Sequence, residues 1–168
     1  MATHDQLQAQ ALQATVDNGR HFILFGPPGS GKVVRLRAAL DGRPGGESYA
    51  MVLANAKLTE EDLFMRPNPQ AGATPAWIQG PLALAMTSGR AILIADIDTL
   101  PRKLVELLDE AMSPRGLPAD RGTGRPSLKA KPSFMVVATA QIRDRSPDVA
   151  TRLISRRFGF TVELPAQW

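Results

Sequence analysis

The sequence predicts an α/β fold with a mostly parallel sheet of five strands, and three observations support that prediction. Apolar runs of strand length alternate along the chain with segments of helical spacing, an order typical of parallel sheets. A glycine-rich turn over residues 26–31 joins the first apolar run to a helical segment. The run over residues 91–95 is apolar at every position, as in strands that are buried on both faces. In such a sheet, ligands bind beyond the carboxyl ends of the strands.

Each apolar run predicts one strand, at residues 22–25, 49–54, 91–95, 134–139 and 160–164. Helical spacing of apolar residues, with turn or capping residues at the ends, predicts helices over residues 5–18, 33–40, 82–88, 101–112 and 147–157. A further short helix is expected to start at Thr59, because the acidic residues that follow it suit a helix N-terminus. The segments 66–79 and 113–132 are rich in proline and glycine, so both are predicted to be exposed loops.

Length and composition are those of an ordinary globular domain, and we expect residues 1–168 to form a single one. The chain has no cysteine, which excludes disulfides, thiolate metal sites and cysteine nucleophiles, and its two histidines cannot build a histidine-rich metal site. The sequence contains neither a signal peptide nor a run of the roughly 20 apolar residues that span a bilayer. It therefore predicts a cytoplasmic protein with no membrane partner.

The net charge of +4 and the isoelectric point near 10.0 permit binding to nucleic acid, to acidic proteins or to polyphosphates, without choosing among them. The segment 113–131 carries five basic residues and one acidic residue. Contact with nucleic acid or an acidic partner is one interpretation of these charges. We favour a solvated loop, because no aromatic residue is interleaved with the charges.

The strongest motif lies in the turn that follows the first predicted strand. Residues 26–32 fit the phosphate-binding (Walker A) pattern G-x-x-x-x-G-K, with the strand and the helix that the pattern requires on its two sides. Backbone N–H groups at a helix N-terminus bind phosphate oxygens, and the lysine adds a charge for the β- and γ-phosphates. The predicted nucleotide-binding residues are Gly26, Pro27, Pro28, Gly29, Ser30, Gly31, Lys32 and Val33.

Two further positions concern a metal ion. The pattern places serine or threonine after the lysine, where its hydroxyl binds Mg²⁺, whereas this chain has Val33, which offers no oxygen. Asp96 directly follows the apolar run 91–95, and a carboxylate at the tip of a buried strand is typical of Mg²⁺ binding in nucleotide hydrolases. The alternative for Asp96 is an N-cap of the segment that follows it.

The order of the motifs resembles the core of an AAA+ ATPase, and most closely the MoxR-like and dynein-related branch of that family. The segments that carry the resemblance cover nearly the whole chain in order, as residues 20–32, 80–85, 89–96, 107–112, 134–139 and 153–158. The resemblance implies a three-layer α/β/α P-loop fold with ATP and Mg²⁺ as cofactors. It also implies a homo- or hetero-oligomeric ring that remodels a protein client.

The resemblance assigns roles to residues near the end of the third and fourth predicted strands. The family pattern places a water-activating glutamate after Asp96, where this chain has Ile97. Asp98 is then the remaining candidate to position the attacking water, with a shorter side chain. Gln141 matches the polar residue that contacts the γ-phosphate or the water, although the family usually has asparagine there.

Arg156 and Arg157 match the arginine finger of the family, which reaches the γ-phosphate bound by a neighbouring subunit. Solvated arginines at a helix end are the alternative. Trp77 lies where rings of this family present a substrate-facing loop, but packing against the body of the domain is the commoner fate of such an aromatic residue. The family's helical lid is not reached before Trp168, so the sequence is a fragment, or the lid is absent or comes from a partner.

The sequence is therefore compatible with three functions. The first is an ATPase that assembles and remodels a partner macromolecule. The second is a nucleotide-binding scaffold or regulatory subunit that does not hydrolyse ATP, which Val33 and Ile97 support. The third, a nucleic-acid-binding protein that uses its basic surface, is the least favoured, and it predicts an affinity that falls steeply with salt.

Overall fold

A five-stranded parallel sheet forms the centre of the fold in the computed structural model, which describes residues 4–43, 48–72, 76–141 and 160–163. Its strands are β1 (Phe22–Phe25), β2 (Ala50–Leu53), β5 (Ala91–Ala95), β6 (Met135–Ala140) and β7 (Phe160–Glu163). They lie in the order β2-β5-β6-β1-β7, and each pair of neighbours is parallel. This order confirms the predicted sheet and places β6 between β1 and β5. The predicted helix over residues 147–157 lies outside the described residues.

Helices cover both faces of the sheet. They are α1 (His4–Asp17), α2 (Lys32–Asp41), α3 (Glu60–Leu63), α4 (Pro81–Ser88) and α5 (Arg102–Ala111), with a short 3-10 helix over Ile97–Thr99. One buried apolar cluster joins α4 and α5 to the sheet, and a second joins α1 and α2 to it. Ile92 and Ile94 of β5 belong to the first cluster and Leu93 to the second, as the two-residue period of a strand requires. The layers are therefore helix, sheet and helix, as predicted. Separately, no helix in the described ranges is long and apolar enough to cross a membrane.

The segment 66–79, predicted as an exposed loop, carries a second, two-stranded sheet at its ends. Here β3 (Met65–Pro67) pairs antiparallel with β4 (Trp77–Gln79). The prediction was wrong for these ends because it rested on the proline and small residues of the segment as a whole, whereas the pairing involves the apolar residues Met65, Trp77 and Ile78 at its two ends. Trp77 is half-buried and packs against the cluster of α4 and α5. Its aromatic ring therefore packs against the body of the domain, the commoner fate of such a residue.

The basic segment 113–132 is also more structured than its composition predicts. Antiparallel bridges join Leu117 to Leu128 and Asp120 to Arg125. Both leucines are buried in the cluster of α4 and α5, so the prediction of a solvated loop was wrong for them. Two isolated leucines among prolines and glycines form no periodic pattern, which is why the sequence did not reveal this packing. The remaining basic side chains of the segment are exposed, as predicted: Arg115, Arg121, Lys129 and Lys131.

Arg125 connects this segment to two helices. Its side chain is only 5% exposed, and its Nε lies 3.1 Å from Oε1 of Glu60 in α3, as an ion pair rather than an aligned hydrogen bond. Its Nη1 donates to the carbonyl oxygen of Pro118 at 3.1 Å. The other carboxylate oxygen of Glu60 lies 3.1 Å from Nζ of Lys103 in α5. One of the five basic residues of the segment thus serves the fold rather than a binding partner.

His21 joins the start of β1 to β6. Its Nδ1 accepts a hydrogen bond from the backbone N–H of Val136 at 2.9 Å, and its ring meets that of Phe134 edge to face at 5.6 Å. Burial of the imidazole lowers its pKa from 6.5 to about 4, because the charged form would lose its hydration. The neutral form is therefore the one that the folded protein stabilises.

The lowered pKa predicts a loss of stability in acid. The unfolded chain takes up a proton on His21 near pH 6.5, whereas the folded protein does so only near pH 4. The contribution of this residue, about 3 kcal/mol at most, is therefore fully present above pH 6.5 and lost as the pH falls to 4. His21→Asn keeps an acceptor for Val136 but does not titrate. In urea unfolding at pH 7 and pH 4.5, we expect the natural protein to lose more stability than this variant, and equal losses would contradict the prediction.

Candidate phosphate-binding site

The glycine-rich loop lies between β1 and α2, at the carboxyl edge of the sheet. Gly29 and Gly31 have φ angles of 77° and 73°, in the left-handed region that other residues rarely adopt. A Cβ atom built on either glycine would meet no atom within 4 Å. Backbone conformation, rather than lack of space, is therefore the reason for glycine at these two positions.

Lys32, the first residue of α2, has its ammonium group inside this loop. The side chain is 7% exposed, and Nζ donates to the carbonyl oxygens of Gly26 and Pro27, both at 2.8 Å. The hydroxyl of Ser30 donates to the same carbonyl of Pro27 at 2.8 Å. These bonds hold the ammonium group of Lys32 in place within the loop. The loop therefore carries a positive charge fixed at a helix N-terminus, a combination that attracts anions.

A cleft of about 260 Å³ opens beside the loop. Asp96, after β5, and Gln141, after β6, line it together with loop and helix residues. The predicted residues that share this cleft are Pro28, Gly29, Gly31, Lys32, Val33, Asp96 and Gln141, and the exposed Val34 joins them. Because the loop, Gln141 and Asp96 follow three adjacent parallel strands, the sheet itself brings them to one edge. The predicted arginines, Arg156 and Arg157, lie outside the described residues.

Asp96 has an uncommon backbone. Its φ of 55° and ψ of 47° make it the one non-glycine residue with positive φ among those that the structure describes. Its N–H donates to Oγ1 of Thr139 at 2.9 Å, and its carbonyl oxygen accepts from the N–H of Thr99 at 2.9 Å and from the hydroxyl of Thr99 at 2.8 Å. Asp96 stands at the N-cap position of the 3-10 helix, as the alternative predicted, but its side chain makes no capping bond there.

The sequence motifs assign no role to Thr139 or Thr99, although one feature could have pointed to Thr139. It is a hydroxyl residue in the interior of a strand that is otherwise apolar, and it is 0% exposed. A buried hydroxyl needs a hydrogen-bond partner, and polar groups near the carboxyl end of β6 are the nearest choice. Thr99 carries no such signal, because threonine is common in turns.

The two residues that follow Asp96 do not line the cleft. Ile97 is 1% exposed and belongs to the apolar cluster of α4 and α5. Asp98 lies in the 3-10 helix and is half-buried. The left-handed turn at Asp96 thus directs the next side chain into the core, and the role of Asp98 in positioning water stays a prediction.

The residues of the cleft fit a magnesium ion only when a polyphosphate accompanies it. Within the described ranges, no group of three or more His, Cys, Asp or Glu residues is placed to hold a metal. Asp96 offers one carboxylate, and Val33 offers no oxygen. Mg²⁺ is typically bound by one or two carboxylates together with substrate phosphates and water. Asp96 therefore suits an ion that enters with a nucleotide.

A parallel sheet in this order, with a Walker A loop after β1 and an aspartate after β5, defines a P-loop nucleoside triphosphatase fold. Residues 21–158 match the family described as AAA domain (dynein-related subfamily). Since the match covers most of the sequence, the chain belongs to this family. The predicted resemblance to the AAA+ ATPase core is confirmed.

Relatives of the chain are longer than the chain itself. It is 26% identical over 162 residues to the uncharacterized protein YehL of Escherichia coli (strain K12), covering 93% of the chain and 44% of YehL. The fold is also that of NtrX from Brucella abortus. The chain matches NtrX in complex with ADP with a TM-score of 0.70 and 17% identity, and NtrX in complex with ATP with 0.67 and 18%. It is covered to 99% and 98% in these matches, and it spans 36% and 38% of the two NtrX chains.

Proposed function

We propose that this domain binds ATP with Mg²⁺ between the loop 26–32 and Asp96, and uses the binding and hydrolysis of ATP to remodel a partner macromolecule. The observation that carries the proposal is the single cleft that Lys32, Asp96 and Gln141 share. Membership of the AAA family supports a nucleotide as the ligand, as do the ADP and ATP bound to NtrX, which has the same fold. The sequence motifs favour the MoxR-like branch within that family.

In this proposal the loop and Lys32 bind the phosphate chain. An ammonium group has three protons, and the two carbonyl bonds of Lys32 use two of them, so one is left for a phosphate oxygen. Asp96 would hold the Mg²⁺, which neutralises charge on the phosphates when it is bound. The amide of Gln141 is in the same cleft and would contact the γ-phosphate.

We also propose that the domain works as part of an oligomeric ring, in which Arg156 and Arg157 act on the nucleotide of a neighbouring subunit. A partner protein is the proposed client. Nucleic acid is less favoured, because Arg125, one of the five basic residues of the segment 113–131, is occupied by Glu60 and a carbonyl oxygen. An ATP-dependent increase in sedimentation coefficient would support the ring.

A second candidate function is a nucleotide-binding scaffold or regulatory subunit that does not hydrolyse ATP. Two positions favour it. Val33 lines the cleft without an oxygen for the metal, and Ile97 is buried where the family pattern expects a water-activating glutamate. Hydrolysis depends on a positioned water, whereas binding does not. A scaffold of this kind would therefore bind ATP in the same cleft without hydrolysing it.

The test is ATP binding by Lys32→Met, measured by calorimetry with Mg²⁺ present. Methionine keeps an unbranched stem of similar length and removes the charge. Because charged hydrogen bonds contribute about 1.5–3 kcal/mol, we expect the affinity for ATP to fall about 10- to 100-fold. The matched control is Lys57→Met, an exposed lysine outside the cleft, which is expected to leave the affinity unchanged.

If the natural protein does not bind ATP, or if Lys32→Met binds ATP with the same affinity as the natural protein, the nucleotide site is not where we propose. Phosphate release then decides between the two candidate functions. If ATP binds and phosphate release is lost in Lys32→Met, the domain is a working ATPase. If ATP binds tightly and the natural protein releases no phosphate above the level of the variant, the scaffold function is the correct one.

A further inference from the structure

We propose that Thr139 and Thr99 are positioning residues that hold Asp96 ready for the metal ion that accompanies the nucleotide. This inference rests on the proposed function, since it concerns the carboxylate assigned to Mg²⁺. The two threonines come from different parts of the chain, β6 and the 3-10 helix, and their hydroxyls bond the two backbone polar groups of one residue. We call this arrangement the threonine clamp.

The clamp acts where the sheet ladder ends. The last pair in the register of β5 and β6 is Ile94 with Ala138, and the carbonyl oxygen of Ala95 accepts from the N–H of Ala54 on the other side, at 2.9 Å. The next N–H, that of Asp96, is partly buried and donates to the side chain of Thr139. A side-chain hydroxyl therefore replaces a further ladder bond, so the chain can leave the strand without an unpaired N–H group.

The clamp also fixes an uncommon conformation. The left-handed region is unfavourable for a residue with a Cβ, although aspartate tolerates it better than most. Such a conformation persists when the surroundings determine it, and it recurs at functional sites. Here the N–H is held by Thr139 and the carbonyl oxygen by Thr99, which leaves the carboxylate to line the cleft with Lys32.

If the conformation of Asp96 only served to close the local turn, fewer hydrogen bonds to its backbone would be needed. The backbone N–H of Thr99 alone already bonds the carbonyl oxygen of Asp96, and that bond would close the turn without any side chain. The hydroxyls add rigidity to a residue whose side chain lies in the cleft. Groups that orient a metal ligand typically change metal affinity about 10- to 100-fold when they are removed.

The first test needs no nucleotide. Thr139→Val removes the hydroxyl and keeps the shape of the side chain, whereas Thr139→Ser keeps the hydroxyl. We expect the amide of Asp96 to exchange with solvent about tenfold faster in Thr139→Val, and at nearly the natural rate in Thr139→Ser. The amide of Leu93, in the interior of β5, reports any general loss of stability. Unchanged exchange at Asp96 in Thr139→Val would overturn the inference.

The second test measures the coupling between metal and nucleotide. The dissociation constant of ATP in EDTA, divided by that in Mg²⁺, gives this coupling. We expect it to fall about tenfold in Thr139→Val, to fall in the same direction in Thr99→Val, and to be restored in Thr139→Ser. Asp96→Asn should abolish the coupling, and adding Thr139→Val to Asp96→Asn should cause no further loss, because both act through one carboxylate.

The outcomes separate this inference from the function on which it rests. If Asp96→Asn abolishes the coupling and Thr139→Val leaves it intact, the clamp has no role in metal binding, while the proposed function stands. If the natural protein binds no ATP, or binds it without any effect of Mg²⁺, then Asp96 does not have the proposed role in binding Mg²⁺. The inference about the threonine clamp is then wrong as well.

Discussion

Replacing Ile97 with glutamate is expected to lower the free energy of unfolding by about 4 kcal/mol, because it removes a buried aliphatic side chain and places a carboxylate in the core. The residue is 1% exposed and packs with the cluster of α4 and α5. Urea unfolding at pH 7 measures the loss. Ile97→Leu is the matched control, and it is expected to cost less than about 1.5 kcal/mol.

This result would bear directly on the proposed hydrolysis of ATP. The family pattern suggests that glutamate at this position would restore a water-activating carboxylate. In the structure the position is buried in the cluster of α4 and α5, so the new side chain would meet apolar residues of that cluster rather than the cleft. An Ile97→Glu variant that is as stable as the natural protein would mean that the side chain reaches solvent, and would contradict the placement described here.

Gly116→Ala is expected to lower the free energy of unfolding by about 3 kcal/mol, from backbone strain and from a clash that cannot relax cheaply. Gly116 has a φ of 73°, and a Cβ there would overlap the carbonyl oxygen of Leu128 and lie 2.9 Å from Cα of Lys129. That carbonyl accepts from the N–H of Leu117 at 2.8 Å, so the clash falls on the bridge that closes the segment.

Gly124→Ala separates the two causes. Gly124 lies in the same segment with a φ of 75°, and a Cβ there would meet nothing within 4 Å. It is expected to cost only the conformational part, about 1 kcal/mol. Thermal unfolding of both variants at one pH gives the comparison. Equal losses would mean that Leu128 moves aside and that the bridge contributes little.

The sheet and the phosphate loop could be predicted because their determinants are local. Four apolar residues before Gly26 form a strand, and the glycines and Lys32 after it follow a fixed spacing. The parallel direction of the strands followed from their alternation with helices, whereas their order in the sheet did not. The pairing at 65–79 and the bridge between Leu117 and Leu128 could not be predicted, because each joins residues that are isolated in the sequence and meet only through the fold.

Most of the residues that line the cleft could be predicted from the sequence, but its geometry could not. Asp96 stands out because it follows a buried strand, yet its left-handed backbone, and hence the burial of Ile97, depends on hydrogen bonds to Thr139 and Thr99. The former bond spans 43 positions along the chain. A motif places a side chain correctly only while the backbone keeps the conformation that the motif assumes. Here the backbone turns at Asp96.

The position of β6 between β1 and β5 has a consequence for how this site can change. Two inter-strand spacings separate β1, which leads into the loop, from β5, which leads into Asp96, and they set a span of about 10 Å. Backbone hydrogen bonds maintain that span, so replacing a side chain such as Val33 alters what happens in the gap but not how wide it is. The width of the cleft and the chemistry of the side chains in it are therefore independent of each other. A domain with this architecture can lose turnover and still keep a cleft of the right width for the same ligand.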